Sequence, residues 1–207
     1  MDKKRIVFFF DGFNFYHSLK DNRKYWDFLW LDYRKLAELF TPKTCILQDV
    51  VYFTAYTLWK PNSKRRHQDY IRVLTIKGVS VIFGKFKTRD RFCKVCHQKY
   101  LGHEEKQTDV NISVNILLWA LHDRFDEIVL STADSDILPA VKALKQEFPH
   151  KILTLLLPIG RRSNELEGLA DKVMYVKEKH LRASQFPNDV KLPDGSTIHR
   201  PGKWRSS

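Results

Sequence analysis

Short runs rich in apolar and β-branched residues recur along this chain, and helix-length segments separate most of them. The clearest run, residues 6–10, is apolar at every position. Such strands are typical of a parallel sheet covered by helices on both faces, because both sides of each strand are then buried. We therefore predict an α/β fold with a mainly parallel sheet. The predicted strands are 6–10, 46–56, 79–86, 127–130, 152–157 and 173–176, and the predicted helices are 64–77, 109–122, 137–148 and 166–170.

Two segments do not follow this alternation. Residues 85–106 form a basic, aromatic-bearing insertion, and residues 183–207 carry Pro and Gly with scattered Lys and Arg. The remaining chain is long enough for one hydrophobic core. We predict one domain over residues 1–182 that contains the insertion, followed by a basic tail over 183–207. The tail is expected to be extended unless another part of the protein holds it.

The charge of the chain points to its class of partner. A formal net charge of +12 indicates an acidic partner, such as nucleic acid or an anionic membrane surface, although solubility is a simpler alternative. No apolar run approaches the roughly 20 residues of a membrane span, so we expect no membrane partner. Three cysteines without the spacing of a disulfide framework are typical of a reducing compartment, and we expect a cytoplasmic protein.

Carboxylates directly follow two of the predicted strands: Asp11 follows the first, and Asp134 and Asp136 follow the fourth. Ligands of parallel sheets bind beyond the carboxyl ends of the strands. If the first and fourth strands are neighbours, these carboxylates converge, with Asp109 at the start of a predicted helix as a fourth candidate. Such a cluster suits a hard cation such as Mg²⁺. As alternatives, Asp109 and Asp134 are helix caps, and Asp136 is an ordinary first-turn acid.

Three motifs, in this order, resemble the NYN domain family. They are D-G-x-N at residues 11–14, EKQTDV at 105–110 and STADSDILP at 131–139, and the resemblance covers roughly residues 4–180. It implies a Rossmann-like three-layer α/β/α sandwich of the PIN-like ribonuclease superfamily, close to the LabA-like bacterial branch. It also implies hydrolysis of RNA with Mg²⁺ or Mn²⁺.

The resemblance assigns roles to the residues of these motifs. Asp11, Asp109, Asp134 and Asp136 are implied to be the catalytic, metal-binding acids. Asn14 is implied to orient a metal-bound water or a phosphate. Thr132 is implied to contact a phosphate of the nucleic acid.

Cys93 and Cys96 are separated by two residues, which is the spacing of half a zinc site. The nearest further ligands are His97 and His103, and together the four residues are a candidate structural Zn²⁺ site. The alternative is a surface hairpin that carries reduced thiols. The C-x-x-C-H pattern also matches a haem attachment motif, but we expect no export signal and a different fold from that of a haem protein.

Basic residues form clusters beside aromatic ones. Such clusters bind nucleic-acid phosphates, and exposed aromatic rings such as Trp59 or Phe92 stack on unpaired bases. We expect the clusters to meet around the acids, although a solvated charged surface is the usual alternative for any one of them. The candidate nucleic-acid-binding cations are Lys60, Arg65, Arg66, Lys87, Arg89, Arg91, Arg161 and Arg162.

These features together favour a metal-dependent endoribonuclease that acts on single-stranded RNA. Two alternatives remain: a catalytically silent RNA-binding module, and a structure-specific DNA nuclease with the same acid geometry. RNA is the expected partner, with DNA less favoured, and a homodimer is a further option.

Overall fold

A six-stranded parallel sheet forms the centre of the computed structural model, which describes residues 3–205. The order of its strands is β3-β2-β1-β6-β7-β8. The strands along the chain are β1 (Lys4–Asp11), β2 (Cys45–Thr54), β3 (Val79–Phe83), β4 (Lys85–Phe92), β5 (Lys99–Lys106), β6 (Glu127–Ser131), β7 (Ile152–Leu157), β8 (Lys172–Tyr175), β9 (Asp189–Lys191) and β10 (Thr197–His199). The helices are α1 (Gly12–Lys20), α2 (Tyr33–Phe40), α3 (Pro61–Ile76), α4 (Thr108–Leu121), α5 (Leu138–Glu147), α6 (Asn164–Leu169) and α7 (Glu178–Ala183).

Strand β1 lies in the middle of the sheet and pairs in parallel with β2 on one side and β6 on the other. Phe10 is opposite Tyr52 in one ladder and Ser131 in the other. The first and fourth predicted strands are therefore neighbours, as convergence of the acids requires.

The apolar run in β1 is explained by burial on both faces of the sheet. Phe8 and Phe10 pack into one core layer, whereas Val7 and Phe9 pack into the other, and all four are fully buried. Alternate side chains of a strand point to opposite faces, so a strand between two helical layers needs apolar residues at every position. The predicted α/β/α sandwich is thereby confirmed.

The predicted insertion folds into an antiparallel hairpin of β4 and β5 outside the main sheet. Its base packs on the body of the protein through aromatic rings. Phe86 contacts Trp59 with a centroid distance of 4.8 Å and Phe13 with one of 5.6 Å. His103 stacks on Trp59 at 3.6 Å, with the two rings nearly parallel. The predicted third strand is also shorter than expected, because it ends at Phe83 where the chain turns into the hairpin.

The stretch after residue 183 is folded, which corrects the expectation of an extended tail. Strands β9 and β10 form a small hairpin, and Ile198 is buried in the core. Trp204 packs against Trp30 and Tyr70 at centroid distances of 5.9 and 5.4 Å. The Arg200 guanidinium donates to the backbone oxygen of Asp27. These contacts hold the segment in place; residues 206 and 207 lie outside the described range.

Within residues 3–205, no helix combines the length and the apolar composition that crossing a bilayer requires.

Candidate functional site

Three aspartates converge at the carboxyl edge of the sheet. Asp11 ends β1, Asp109 lies in the first turn of α4, and Asp134 follows β6. Each offers a carboxylate oxygen, and these oxygens lie within 4.8 Å of one another. Asp11 is buried, and the other two are partly exposed. The predicted fourth acid, Asp136, is exposed and lies outside this group, although its charge acts on Asp109.

Asp11 is held by hydrogen bonds on both of its carboxylate oxygens. Its Oδ1 accepts from the backbone N–H groups of Phe13 (3.1 Å) and Asn14 (3.0 Å), so Asp11 caps α1. Its Oδ2 accepts from the hydroxyl of Thr132 at 2.9 Å. Each carboxylate oxygen has two lone pairs, so these bonds leave acceptor capacity for a cation.

Two further hydrogen bonds order the loop after β6, one within the loop and one to α1. Thr132 Oγ1 accepts from the backbone N–H of Asp134 at 3.0 Å, and Asn14 Oδ1 accepts from the backbone N–H of Ala133 at 3.2 Å. Thr132 is fully buried and cannot contact a phosphate, which corrects the role implied by the resemblance. It instead fixes the positions of two acids.

Glu105 is a site residue that the sequence analysis missed. Its Oε1 accepts from both the backbone N–H (3.1 Å) and the hydroxyl of Thr108, and so it caps the start of α4 directly before Asp109. Gln107, between them, has a left-handed backbone with φ of 82°. The sequence could have indicated this role, because Glu105 lies three residues before a Thr at a helix start. At that spacing a side chain can reach the unpaired backbone N–H groups of the first helical turn.

The electrostatics of the cluster favour a bound cation. The pKa of Asp109 is raised to about 6, first by burial and then by the charges of Asp11, Asp134, Glu105 and Asp136. Burial also raises the pKa of Asp11, against the lowering effect of its hydrogen bonds. Clustered carboxylates disfavour one another's charged form, and a divalent cation removes that repulsion. Carboxylate oxygens at this spacing fit a hard cation such as Mg²⁺ or Mn²⁺.

A pocket of about 700 Å³ opens beside the three aspartates. Its walls carry the cations Lys60, Arg66 and Arg161 together with aromatic rings that include those of Tyr16 and Phe13. His67 also lines it and was not singled out from the sequence; burial lowers its pKa to about 4, so its ring is neutral at pH 7. The pocket thus combines carboxylates, cations and aromatic surface.

The predicted cations divide into three groups. Lys60, Arg66 and Arg161 line the pocket, although Arg161 also pairs with Asp21 at 2.7 Å. Arg65 is exposed and is not among the lining residues, and Arg162 donates to the hydroxyl of Tyr175 at 2.8 Å. The third group lies on the β4–β5 hairpin.

The hairpin cations do not face the acids, which corrects the expectation that all basic clusters meet there. Directly paired residues share a face of a hairpin, and Phe86 lies on the pocket side. Strand alternation puts the odd-numbered residues of β4 on the other side. This outer basic face consists of Lys85 and the predicted cations Lys87, Arg89 and Arg91.

The aromatic rings expected to stack on bases have different environments. One face of Trp59 is already covered by the His103 ring, so this indole is in part a structural contact between hairpin and body. Phe92 lies near the hairpin tip and is 63% exposed, with the Lys99 ammonium over its ring. Only Trp59 of these two lines the pocket among the described residues.

The four predicted zinc ligands are not brought together. His103 is paired with Thr88, five residues along β4 from Cys93, which corresponds to about 17 Å of extended strand. Its ring is held by Trp59 and faces Thr88, whose hydroxyl lies 3.3 Å from Nδ1. In residues 3–205, the three aspartates are the sole group of three or more His, Cys, Asp or Glu with ligand atoms close enough to share an ion. His103 is therefore not a ligand of a site at Cys93 and Cys96.

Comparison with known proteins supports the fold and identifies the family. No curated protein is significantly similar to this chain. The crystal structure of a protein of unknown function from Vibrio parahaemolyticus superposes with a TM-score of 0.61, covering 89% of this chain and 97% of that chain. Its identity of 17% shows a shared fold alone. The model of the NYN domain matches residues 5–177, most of the chain, and the protein therefore belongs to the NYN domain family of PIN-like nucleases.

Proposed function

We propose that this protein is a metal-dependent endoribonuclease that hydrolyses phosphodiester bonds of single-stranded RNA. The observation that carries this proposal is the convergence of Asp11, Asp109 and Asp134 within 4.8 Å at the edge of a pocket with cationic and aromatic walls. Family membership supports a nuclease. The cations and aromatic rings that line the pocket support a polyanionic substrate that carries bases.

The carboxylates supply the ligands for Mg²⁺ or Mn²⁺. A divalent cation held there would lower the pKa of a bound water and stabilise the charge on the leaving oxygen. Asp11 and Asp134 are the ligands that the structure fixes best. The Thr132 hydroxyl bonds to the carboxylate of Asp11 and to the backbone N–H of Asp134. Asp109 completes the cluster from the α4 side, and exposed Asp136 contributes charge from outside it.

The pocket walls bind and orient the RNA. Lys60 and Arg66, which line the pocket, contact phosphates of the strand, and Asn14 contacts the phosphate next to the scissile bond. Tyr16 and Phe13 offer ring surface to bases, which favours an unpaired strand because bases in a duplex are already stacked. The outer basic face of the hairpin extends the electrostatic attraction for the strand.

The test is cleavage of a labelled single-stranded RNA with Mg²⁺, with Mn²⁺ and with EDTA. We expect cleavage by the wild type with metal and none by Asp134→Asn, because the amide removes one anionic ligand. Glu147→Gln is the matched control, since it neutralises an exposed acid at the far end of α5 and should cleave normally. A circular RNA of the same sequence distinguishes internal cleavage from cleavage at ends.

Two outcomes would replace the proposal with its alternatives. Binding of RNA without turnover, across several substrates and both metals, would indicate a silent RNA-binding module. Preferential cleavage of a flapped or single-stranded DNA in direct competition with RNA would indicate a DNA nuclease.

A further inference from the structure

The turn between β4 and β5 brings two thiols side by side at the hairpin tip. The backbone N–H of Cys93 donates to Gln98 at 2.9 Å, and that of His97 donates back to Cys93 at 2.9 Å. His97 has a left-handed backbone with φ of 53°, which reverses the chain. Both cysteines carry free thiols; Cys93 is half-buried and Cys96 is exposed. The turn therefore holds both thiols at the tip of the hairpin.

This arrangement is suited to zinc. Two cysteines separated by two residues are a common half of a tetrahedral zinc site, and the other half comes from elsewhere. Zinc binds the thiolate form of cysteine, so two free thiols held in one turn can both serve as ligands. Structural zinc sites are closed by four protein ligands. The hairpin tip therefore provides half of such a site.

The described part of the chain does not supply the other half. His103 is held against Trp59 at the hairpin base. His97 follows Cys96 directly, but it does not form a group of three ligand atoms with the two thiols. The remaining cysteine, Cys45, begins β2 in the main sheet. A closed site at the tip consequently needs ligands from a second molecule.

Exposed apolar side chains lie in the turn and on the strand ends next to it. Val95 is 90% exposed, Phe92 63%, Leu101 64% and Tyr100 51%, on a hairpin that is otherwise polar and basic. A cluster of such residues at a protruding tip indicates a contact surface. Two hairpins that meet tip to tip would cover these side chains at the same place where each lacks two zinc ligands.

The charges at the tip are compatible with the same arrangement only when zinc and four thiolates are present. Lys94 is within the turn and Lys99 begins β5, so two apposed tips bring like charges together. A zinc ion with four thiolates carries a net charge of −2, by the formal charges of the ion and its ligands. That charge offsets the repulsion between the lysines of the two copies.

We propose that Cys93 and Cys96 bind zinc together with the same two cysteines of a second copy, so that one Zn²⁺ joins two chains at their hairpin tips. The occupant of the tip is thus a second copy of this protein. The proposal does not depend on the nuclease activity, because it uses neither the aspartates nor the pocket.

The test measures zinc content and molecular mass on the full chain under reducing conditions. Zinc is quantified by mass spectrometry of the metal after dialysis with excess Mg²⁺, which competes for the aspartates but not for thiolates. Light scattering after size-exclusion chromatography gives the mass with Zn²⁺ and with a chelator. We expect one zinc ion for every two chains, a mass that doubles with Zn²⁺, and its return to that of one chain with the chelator.

Matched variants separate this site from other thiols and imidazoles. Cys93→Ser and Cys96→Ser should each lose the zinc and stay monomeric, whereas Cys45→Ser and His97→Ala should keep both zinc and dimer. Circular dichroism checks that each variant is folded. Co²⁺ in place of zinc should give the intense absorption of a tetrahedral four-thiolate site in the wild type.

Three results would overturn the proposal. The first is one zinc ion per chain in a protein that remains monomeric. The second is a dimer that persists in folded Cys93→Ser. The third is the absence of thiolate-bound zinc from reduced wild-type protein at concentrations where Zn²⁺ is in excess.

Discussion

The hydroxyl of Thr132 donates a hydrogen bond of 2.9 Å to Asp11 Oδ2, and neither residue is open to solvent. The same hydroxyl accepts from the backbone N–H of Asp134. One buried side chain thus connects two of the three clustered aspartates, although it does not reach the pocket. Such hydrogen bonds orient the ligands of a metal ion, so the loss of either one should change the positions of the carboxylates.

Replacing Thr132 with Val should weaken metal binding without removing a ligand. The change keeps the shape of the side chain, but it leaves Asp11 Oδ2 and the Asp134 N–H without this partner. We expect divalent-metal affinity to fall on the order of 10–100-fold, as for other groups that orient ligands. Isothermal titration calorimetry with Mn²⁺ measures it. Thr132→Ser keeps the hydroxyl and should restore most of the affinity; an unchanged affinity in Thr132→Val would contradict the positioning role.

Replacing Asp109 with Asn should stabilise the metal-free protein and abolish its stabilisation by metal. The pKa of Asp109 is raised to about 6, so its charged form is disfavoured in the folded state at pH 7. The amide removes this repulsion and also removes a ligand. In thermal unfolding at pH 7, the variant should melt above the wild type in EDTA and show no further rise with Mn²⁺. A variant that melts below the wild type in EDTA would argue against the repulsion.

Acidic pH should stabilise the metal-free site and weaken its metal binding. Asp109 has a folded-state pKa of about 6, against an ordinary value of 3.8. The resulting stability is fully present below the ordinary value and is lost as pH rises through about 6. Metal affinity changes the opposite way, because protons compete for the carboxylates. Calorimetric titrations between pH 5 and 7.5 should show the affinity rising with pH, and a flat profile would contradict this.

Glu105 and Glu104 are adjacent acids with opposite expected effects. Glu105 caps α4 at Thr108 and adds negative charge beside Asp109, whereas Glu104 pairs with Lys106 and Arg91 on the outer face of the hairpin. Glu105→Gln keeps an acceptor for Thr108 but lowers the charge, so metal affinity should fall several-fold while the helix start is retained. Glu104→Gln should leave the affinity unchanged. Equal effects of the two variants would show that the response is not local.

Gly12 has no room for a side chain. A Cβ there would lie 2.5 Å from Tyr52 Cζ and 2.6 Å from the backbone oxygen of Phe53. Gly12→Ala should therefore destabilise the fold by about 1–3 kcal/mol or more, the usual range for overpacking. Gly168→Ala is the matched control: its site is open and helical, so Ala should be neutral or slightly stabilising. Chemical denaturation of both variants measures the difference.

The α/β class, the parallel sheet and the position of the acids at strand ends could be predicted, because burial on both faces makes a strand apolar at every position. The convergence of the acids could be predicted only on the condition that the first and fourth strands are neighbours, which the sequence does not reveal. Val7 and Phe9 need one core layer and Phe8 and Phe10 the other, so the run itself indicates a central strand. Asp11 interrupts that run at the sheet edge. The apolar run and the carboxylate that ends it are local features of the sequence, so recognising them needs no knowledge of distant contacts.

What sequence reasoning could not provide depends on long-range contacts. The burial of Thr132 depends on Asp11, 121 residues away. The direction of Arg89 depends on which face of the hairpin rests on Trp59, which alternation along one strand does not reveal. The ordering of the C-terminal segment depends on Trp30 and Tyr70 receiving Trp204.

The position of Trp204 near residue 205 means that one part of the core is completed late during synthesis of the chain. The three aspartates and the central strands emerge long before Trp204, and until then Trp30 and Tyr70 lack part of their packing. Domains consolidate once their core is available, and earlier intermediates are loosely packed. Trp204 lines the pocket as well, so that wall is missing from the nascent chain. The cleavage proposed above is therefore expected to begin only after synthesis has passed this tryptophan.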